Sequence, residues 1–300
     1  MKTLKLLLAG TFLMVSLGVS AQKYAFKVMA NKGSNQINKE GAWSGLKTGS
    51  SLYAADQIKV VEGAYIGLLH AGGKTLELRE PGTYKVADLE KKVPAGKGVA
   101  SKYADYLSNQ MTAAEKKNQL AATGAVHRGL QAAINVFQST NTQQVYGDRA
   151  IVRWAPLEGD DMVYKVKIYN MFDETLISEE TTETFFEIDF TSSKLEGNDI
   201  ILLRVVLADD EETKSEEFPI RKLRSKDQAT ANVKSGISEL MSDIDNQSAL
   251  SQYILAGFYE GNSLLMDAVT CYETAISLAP EVSTYKEAYE DFLVRNGLKK

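Results

Sequence analysis

Residues 252–282 read QYILAGFYEGNSLLMDAVTCYETAISLAPEV, and the reading of this stretch decides the C-terminal half of the fold. Leu255, Ala256 and Tyr259, then Ala268, Tyr272 and Ala275, recur at helical spacing and are followed by Pro280. The pattern predicts two helices joined as a hairpin. A helix pair cannot bury its own apolar face, so the flanking sequence must complete the core. Upstream, Ala229, Val233, Ile237, Leu240, Met241 and Ile244 mark a helix with one apolar stripe. Downstream, Tyr285, Ala288, Tyr289, Phe292 and Leu293 share one side of a final helix, with Gly297 as its stop signal. A bundle of about four helices over residues 224–300 follows from this spacing.

The order of small and large residues in the quoted hairpin resembles a single tetratricopeptide repeat over about residues 249–282. Its structural positions are Leu255, Ala256, Tyr259, Ala268, Tyr272, Ala275 and Pro280, and Gln252 stands where an early aromatic belongs. The resemblance implies that small side chains let the two helices approach closely. It also places Tyr253 and Glu260 on the face such repeats use for ligands, which makes them candidate partner-binding residues. About three repeats are needed for an independent solenoid, and one is legible here.

The N-terminal region has a different period. QIKVV, AYIGLLHA, KTLELRE and GTYKV are strand-like and separated by Glu62-Gly63, Gly72-Gly73 and Pro81-Gly82. Gly72-Gly73 reads as a two-residue hairpin turn, and Leu76 and Leu78 share one face of their strand while Thr75, Glu77 and Arg79 share the other. Residues 22–96 are therefore expected to form a small antiparallel β domain. Trp43, Leu46, Gly49, Leu52, Asp56, Ile58, Gly73, Leu76 and Leu78 follow the order found in FecR-type periplasmic domains, a resemblance covering about residues 24–86. FecR proteins relay a signal through one membrane helix. No spanning helix is legible here, so the resemblance implies only an exported β module suited to contacting another protein.

Residues 97–144 read as a helical connector, with Val99, Tyr103, Tyr106, Leu107 and Met111 at helical spacing and an interruption at TGAVHRGLQ. From residue 145 to 223 the period returns to two. Val152 and Trp154 oppose Arg153, and Tyr164, Val166 and Ile168 oppose Lys165, Lys167 and Tyr169. FFEIDF, IILLRVVLA and KSEEFPI complete six or seven strands of a β-sandwich. The strand order resembles a fibronectin type III or immunoglobulin-like domain, with Ile200 and Ile201 where a corner Tyr is expected. The acidic run at 209–217 lacks the ligand spacing of a calcium loop and reads as a solvated turn. The fold expected overall is α+β and multidomain.

At the N-terminus, Lys2 and Lys5 precede an apolar run from Leu6 to Val19, and Ala21-Gln22 follows small residues. This is the layout of a secretory signal peptide, residues 1–21, cleaved between Ala21 and Gln22. Its loss takes the formal charge from −5 to −7, which disfavours a nucleic-acid partner. No second apolar run is long enough to anchor the chain in a membrane. The periplasm is the expected location, with the cell surface or the medium as alternatives. Cys271 is the sole cysteine and falls on an apolar helical pattern; His70 and His127 are the only histidines. Neither metal nor catalytic residues are assigned, and no cofactor is expected. The reading that results is a non-enzymatic scaffold or adaptor that contacts other cell-envelope proteins. The alternatives are a carbohydrate- or cell-wall-binding module, for which Trp43 and Trp154 would have to be exposed although both are expected in the core, and, further off, a cryptic hydrolase.

Overall fold

The computed structural model describes residues 24–94, 96, 98–118, 133–138, 142–159, 161–224, 228–244 and 247–299. The expected leader with Ala21-Gln22, and His127 with the glycine-interrupted stretch around it, lie outside the described residues. The chain is mixed α+β. Among the described residues, fifteen strands precede a run of four α-helices, and two further α-helices lie between the eighth and ninth strands.

Strands β1 (Phe26–Lys32), β4 (Ser51–Leu52), β6 (Tyr65–His70) and β7 (Thr75–Leu78) form one antiparallel sheet, ordered β4-β1-β6-β7. A second sheet, β3-β2-β5-β8, comprises β2 (Gln36–Lys39), β3 (Ala42–Gly45), β5 (Gln57–Val60) and β8 (Gly82–Lys85). Phe26, Val28, Ile66 and Leu68 of the first sheet share a core with Ile37, Ile58 and Val60 of the second. Tyr65 and Leu69 point the other way, into the helices. Burial of β6 on both faces explains why AYIGLLHA reads as an unbroken apolar run. Helix α1 (Val86–Lys92) closes this unit through Val86 and Leu89.

Two sequence expectations change here. The Gly72-Gly73 turn is one residue longer than expected: His70 N–H donates to Lys74 O, Gly73 N–H to His70 O, and Gly73 has φ +91°. This is a type I turn ending in a left-handed glycine, the usual three-residue hairpin. Trp43, expected in the core, is 44% exposed on an edge strand whose four residues all face solvent.

Strands β10 (Arg149–Arg153) and β13 (Phe185–Asp189) pair as one sheet. The other sheet is mixed, β12-β11-β14-β15-β9, where β11 is Tyr164–Tyr169, β12 Thr175–Thr181, β14 Ile200–Leu207, β15 Phe218–Lys222 and β9 Gln143–Val145, parallel to β15. Val152 and Ile188 from the first meet Val166, Ile168, Leu203 and Val205 from the second in one core. Trp154 is 1% exposed and lies edge-on to Tyr164, with ring centroids 5.4 Å apart. Residues assigned to the connector join this core: Ile134 and Val136 are buried in it, and Phe137 N–H donates to Arg153 O. Two carboxylates of the acidic run pair with bases of the sheet: Glu211 with Lys167 at 2.6 Å and Glu217 with Arg204 at 3.0 Å.

Helix α2 (Val99–Asn118) leads from the first β unit, and α3 (Gln228–Met241), α4 (Ala249–Gly261), α5 (Leu265–Leu278) and α6 (Ser283–Arg295) follow the second. Ten of the 13 residues of α4 are buried, so α4 is a central helix enclosed on all sides rather than an amphipathic surface helix. Ala100, Ala104 and Leu107 of α2, Leu240 of α3, and Tyr285 and Phe292 of α6 surround it, together with Met29, Tyr65 and Leu69 from the first sheet and Leu223 from beyond β15. One core therefore runs through the helices into the N-terminal sheet.

Candidate functional site

The residues flagged in the hairpin are committed inward. Tyr253 is fully buried, with its ring 5.4 Å from that of Tyr285 and 6.0 Å from that of Tyr272. Glu260 accepts from Arg295 Nε and Nη2, both at 2.7 Å, and from Asn296 Nδ2 at 2.8 Å. This bidentate pair ties the end of α4 to the end of α6 and fits the planar guanidinium better than a lysine. Leu255, Ala256, Ala268, Tyr272 and Ala275 are buried, Tyr259 is half-buried, and Pro280 is exposed just beyond α5. Cys271 is buried and burial pushes its thiol up, which suits a packing role.

The polar groups around the hairpin hold it to both β units. On the N-terminal side, Leu250 N–H at the start of α4 donates to Glu77 Oε1 at 3.0 Å, so a carboxylate from β7 meets the positive end of the helix. Thr75 and Ser251 hydroxyls meet at 3.2 Å, and Arg79 lies 4.7 Å over the Tyr65 ring while pairing with Glu281 at 2.9 Å. The Tyr65 and Tyr285 hydroxyls are 2.7 Å apart. Thus Thr75 and Glu77 of β7, with Arg79 just beyond it, face the helices. On the other side, α5 presents Asp267, Thr270 and Glu273 to β10 and the turn before it. Asp267 accepts from Tyr146 N–H at 2.9 Å and Gly147 N–H at 2.7 Å, Thr270 Oγ1 accepts from Ile151 N–H at 3.0 Å, and Glu273 pairs with Arg153. Burial raises the Asp267 carboxyl to about 6, against the opposing pull of those two N–H groups and Lys222. Asp243 performs the same service for α2, accepting from Val99 N–H at 2.8 Å.

Among the described residues, a recess lies away from these seams. It lies at the end of the second β unit, has a volume of about 410 Å³, and is lined by Met171, Phe172, Asn198, Asp199, Arg221 and Arg224 among others. Met171 and Phe172 are 57% and 84% exposed, although large apolar side chains are the costliest to leave in water. Their loop is held from beneath by Asn170, which is buried. Asn170 Oδ1 accepts from Phe172 N–H at 2.9 Å and Glu174 N–H at 3.0 Å, and its Nδ2 donates to Glu174 Oε2 at 2.6 Å. Asp173, at φ +61°, completes the turn. The apolar tip is thus presented on a fixed loop, beside two guanidinium groups of which Arg224 pairs with Asp199. Such a recess suits an extended segment carrying apolar and acidic side chains.

The sequence reading passed over this site. Its signal is a pair of large apolar residues inside a turn, Asn170-Met171-Phe172-Asp173, where polar residues are the rule. His70, by contrast, serves the local structure, since its Nδ1 accepts from Gly72 N–H at 3.0 Å and its ring packs edge-on against Phe26. Among the described residues no group of three His, Cys, Asp or Glu is placed to hold a metal ion, and no helix is long and apolar enough to cross a membrane. Comparison with known proteins finds no family model and no curated protein that matches this chain.

Proposed function

We propose that the protein is a non-enzymatic, exported scaffold or adaptor that contacts other cell-envelope proteins, in the periplasm. The observation that carries this reading is the rigid, exposed Met171–Phe172 tip beside Arg221 and Arg224. An apolar anchor next to arginines is the composition of an interface centre. The N-terminal unit's resemblance to FecR-type domains, the immunoglobulin-like strand order of residues 145–223 and the single tetratricopeptide-like hairpin support it by analogy of fold, and analogy alone would not name a site.

A photo-crosslinking amino acid at position 172, introduced into the full-length protein in intact cells, tests the reading. A discrete protein adduct is expected from position 172, lost when Arg221 and Arg224 are both changed to Ala, and absent from the well-exposed control position Lys91. Failure to trap any protein at 172, or equal trapping at 91, overturns it.

A further inference from the structure

The outer face of the sheet β3-β2-β5-β8 carries one tryptophan, three amides and two lysines. The register places Trp43, Asn38, Gln57 and Lys85 in one row across four strands, and Gln36 and Lys59 in the next. Ile37, Ile58 and Val60 point to the core, so these residues share the opposite face. Trp43, Lys59 and Lys85 are exposed and the three amides half-buried. The four strands contain no Asp or Glu, in a protein with 39 acidic and 34 basic residues. The acids that adjoin these strands along the chain are Glu40, in the turn that joins β2 to β3, and Asp56, which is buried just before β5.

We propose that this face binds an acidic polysaccharide, one that carries carboxylates, with a sugar ring stacked on Trp43 and its acid groups on Lys59 and Lys85. Three features select this ligand. First, Trp43 offers an exposed aromatic face, which suits the C–H face of a pyranose; a protein partner would find only one large apolar residue to desolvate. Second, Gln36, Asn38 and Gln57 bring amide donors and acceptors, and sugar hydroxyls use both; a phosphate polymer would use donors alone. The Asn38 carbonyl oxygen already accepts from Gly41 N–H at 2.9 Å, so that side chain contributes its NH₂ group. Third, the row from Trp43 to Lys85 crosses three strand spacings, about 14 Å, the length of a short oligosaccharide rather than of one small anion.

This site is distinct from the Met171–Phe172 recess, and the two readings stand or fall separately. Trp154 is 1% exposed, so changes in tryptophan emission on ligand addition report Trp43. The purified protein is titrated with polygalacturonate, alginate and hyaluronate, with dextran as the neutral control and dextran sulfate and polyphosphate as controls for bare charge. At least one carboxylated polymer is expected to shift the emission to the blue and shield it from acrylamide, while dextran does neither. Measured by isothermal titration calorimetry, since these variants lack the reporting ring, Trp43→Ala is expected to weaken that binding by about tenfold or more, the scale of one lost stacking ring, and Trp43→Tyr to restore part of it. Lys59→Gln with Lys85→Gln should weaken it similarly and flatten its salt dependence. All these positions are on the surface, so unchanged thermal unfolding confirms that the variants are folded. No binding to any carboxylated polymer, full affinity in Trp43→Ala, or equal affinity for dextran sulfate or polyphosphate overturns the proposal.

Discussion

Gly257, at the middle of α4, gives the sharpest test of how the connector helix is seated. A Cβ placed there would lie 2.8 Å from Leu107 Cγ and 3.0 Å from its Cδ1. Leu107 is 1% exposed, and Cγ sits at the branch point of its side chain, so it has little room to swing aside. Two effects compete in Gly257→Ala. Replacing a mid-helix glycine by alanine gains about 1 kcal/mol of helix propensity. Overpacking a closed site costs about 1 to 3 kcal/mol. The variant is therefore expected to be neutral to about 2 kcal/mol less stable. Leu107→Ala alone empties the site and should cost about 2 to 5 kcal/mol. In the double variant the new methyl group enters the space that Leu107 vacates, so its cost should fall below the sum of the two by about 1 kcal/mol or more. Urea unfolding of the four proteins measures the cycle. If Gly257→Ala stabilises by its full propensity gain and the two changes add, α2 does not rest on α4 at this point.

Other expectations follow from the seams. Arg153→Ala strands Glu273 at the contact of β10 and α5; as Arg153 is itself 29% exposed, a loss of about 2 kcal/mol is expected in urea unfolding, and a loss no larger than that of a surface arginine would sink the assignment. Asp267, with its folded-state value raised to about 6 against the ordinary 3.8, favours folding most below about pH 4 and loses that advantage as pH rises through 6. Relative to Asp267→Asn, wild-type stability should fall by up to about 3 kcal/mol between pH 4 and 7; a flat difference across that range contradicts the burial argument. Trp154→Ala should cost about 3 to 5 kcal/mol, and an unchanged unfolding midpoint would remove Trp154 from the core.

What could be read in the sequence depended on whether its cause was local. Strand alternation in Tyr164, Val166 and Ile168 survives intact because each strand there buries one face. The helical pattern of Tyr285, Ala288, Tyr289 and Phe292 does too, for the same reason at a different period. Trp43 was misplaced because an aromatic in a strand is usually core; nothing in Ala-Trp-Ser-Gly shows that the strand ends a sheet and that the Trp turns outward. The destination of Glu260 was hidden for another reason. Its partner Arg295 is 35 residues away, and Tyr65 meets Tyr285 across 220, distances at which no periodicity speaks. Glu77 and Asp267 look like solvated strand and helix positions until the helix terminus and the β turn that they serve are brought alongside.

These long-range pairings also answer what a single helical hairpin is for. A repeat in an array covers its two faces with the repeats before and after it. Here one side of the hairpin is covered by the first sheet, through Tyr65, Leu69 and the polar face of β7, and the other by β10 and the turn that precedes it, gripped by Asp267, Thr270 and Glu273. The β units cover the faces that neighbouring repeats would cover in an array, and the hairpin in turn joins the two units. Buried seams of this kind resist hinge motion, because opening either one leaves a carboxylate or a helix terminus without its partner. The Phe172 tip on one β unit and the Trp43 face on the other are then held at a fixed separation. On the adaptor function proposed above, the hairpin's value lies in fixing where these two surfaces stand, and not in a groove of its own.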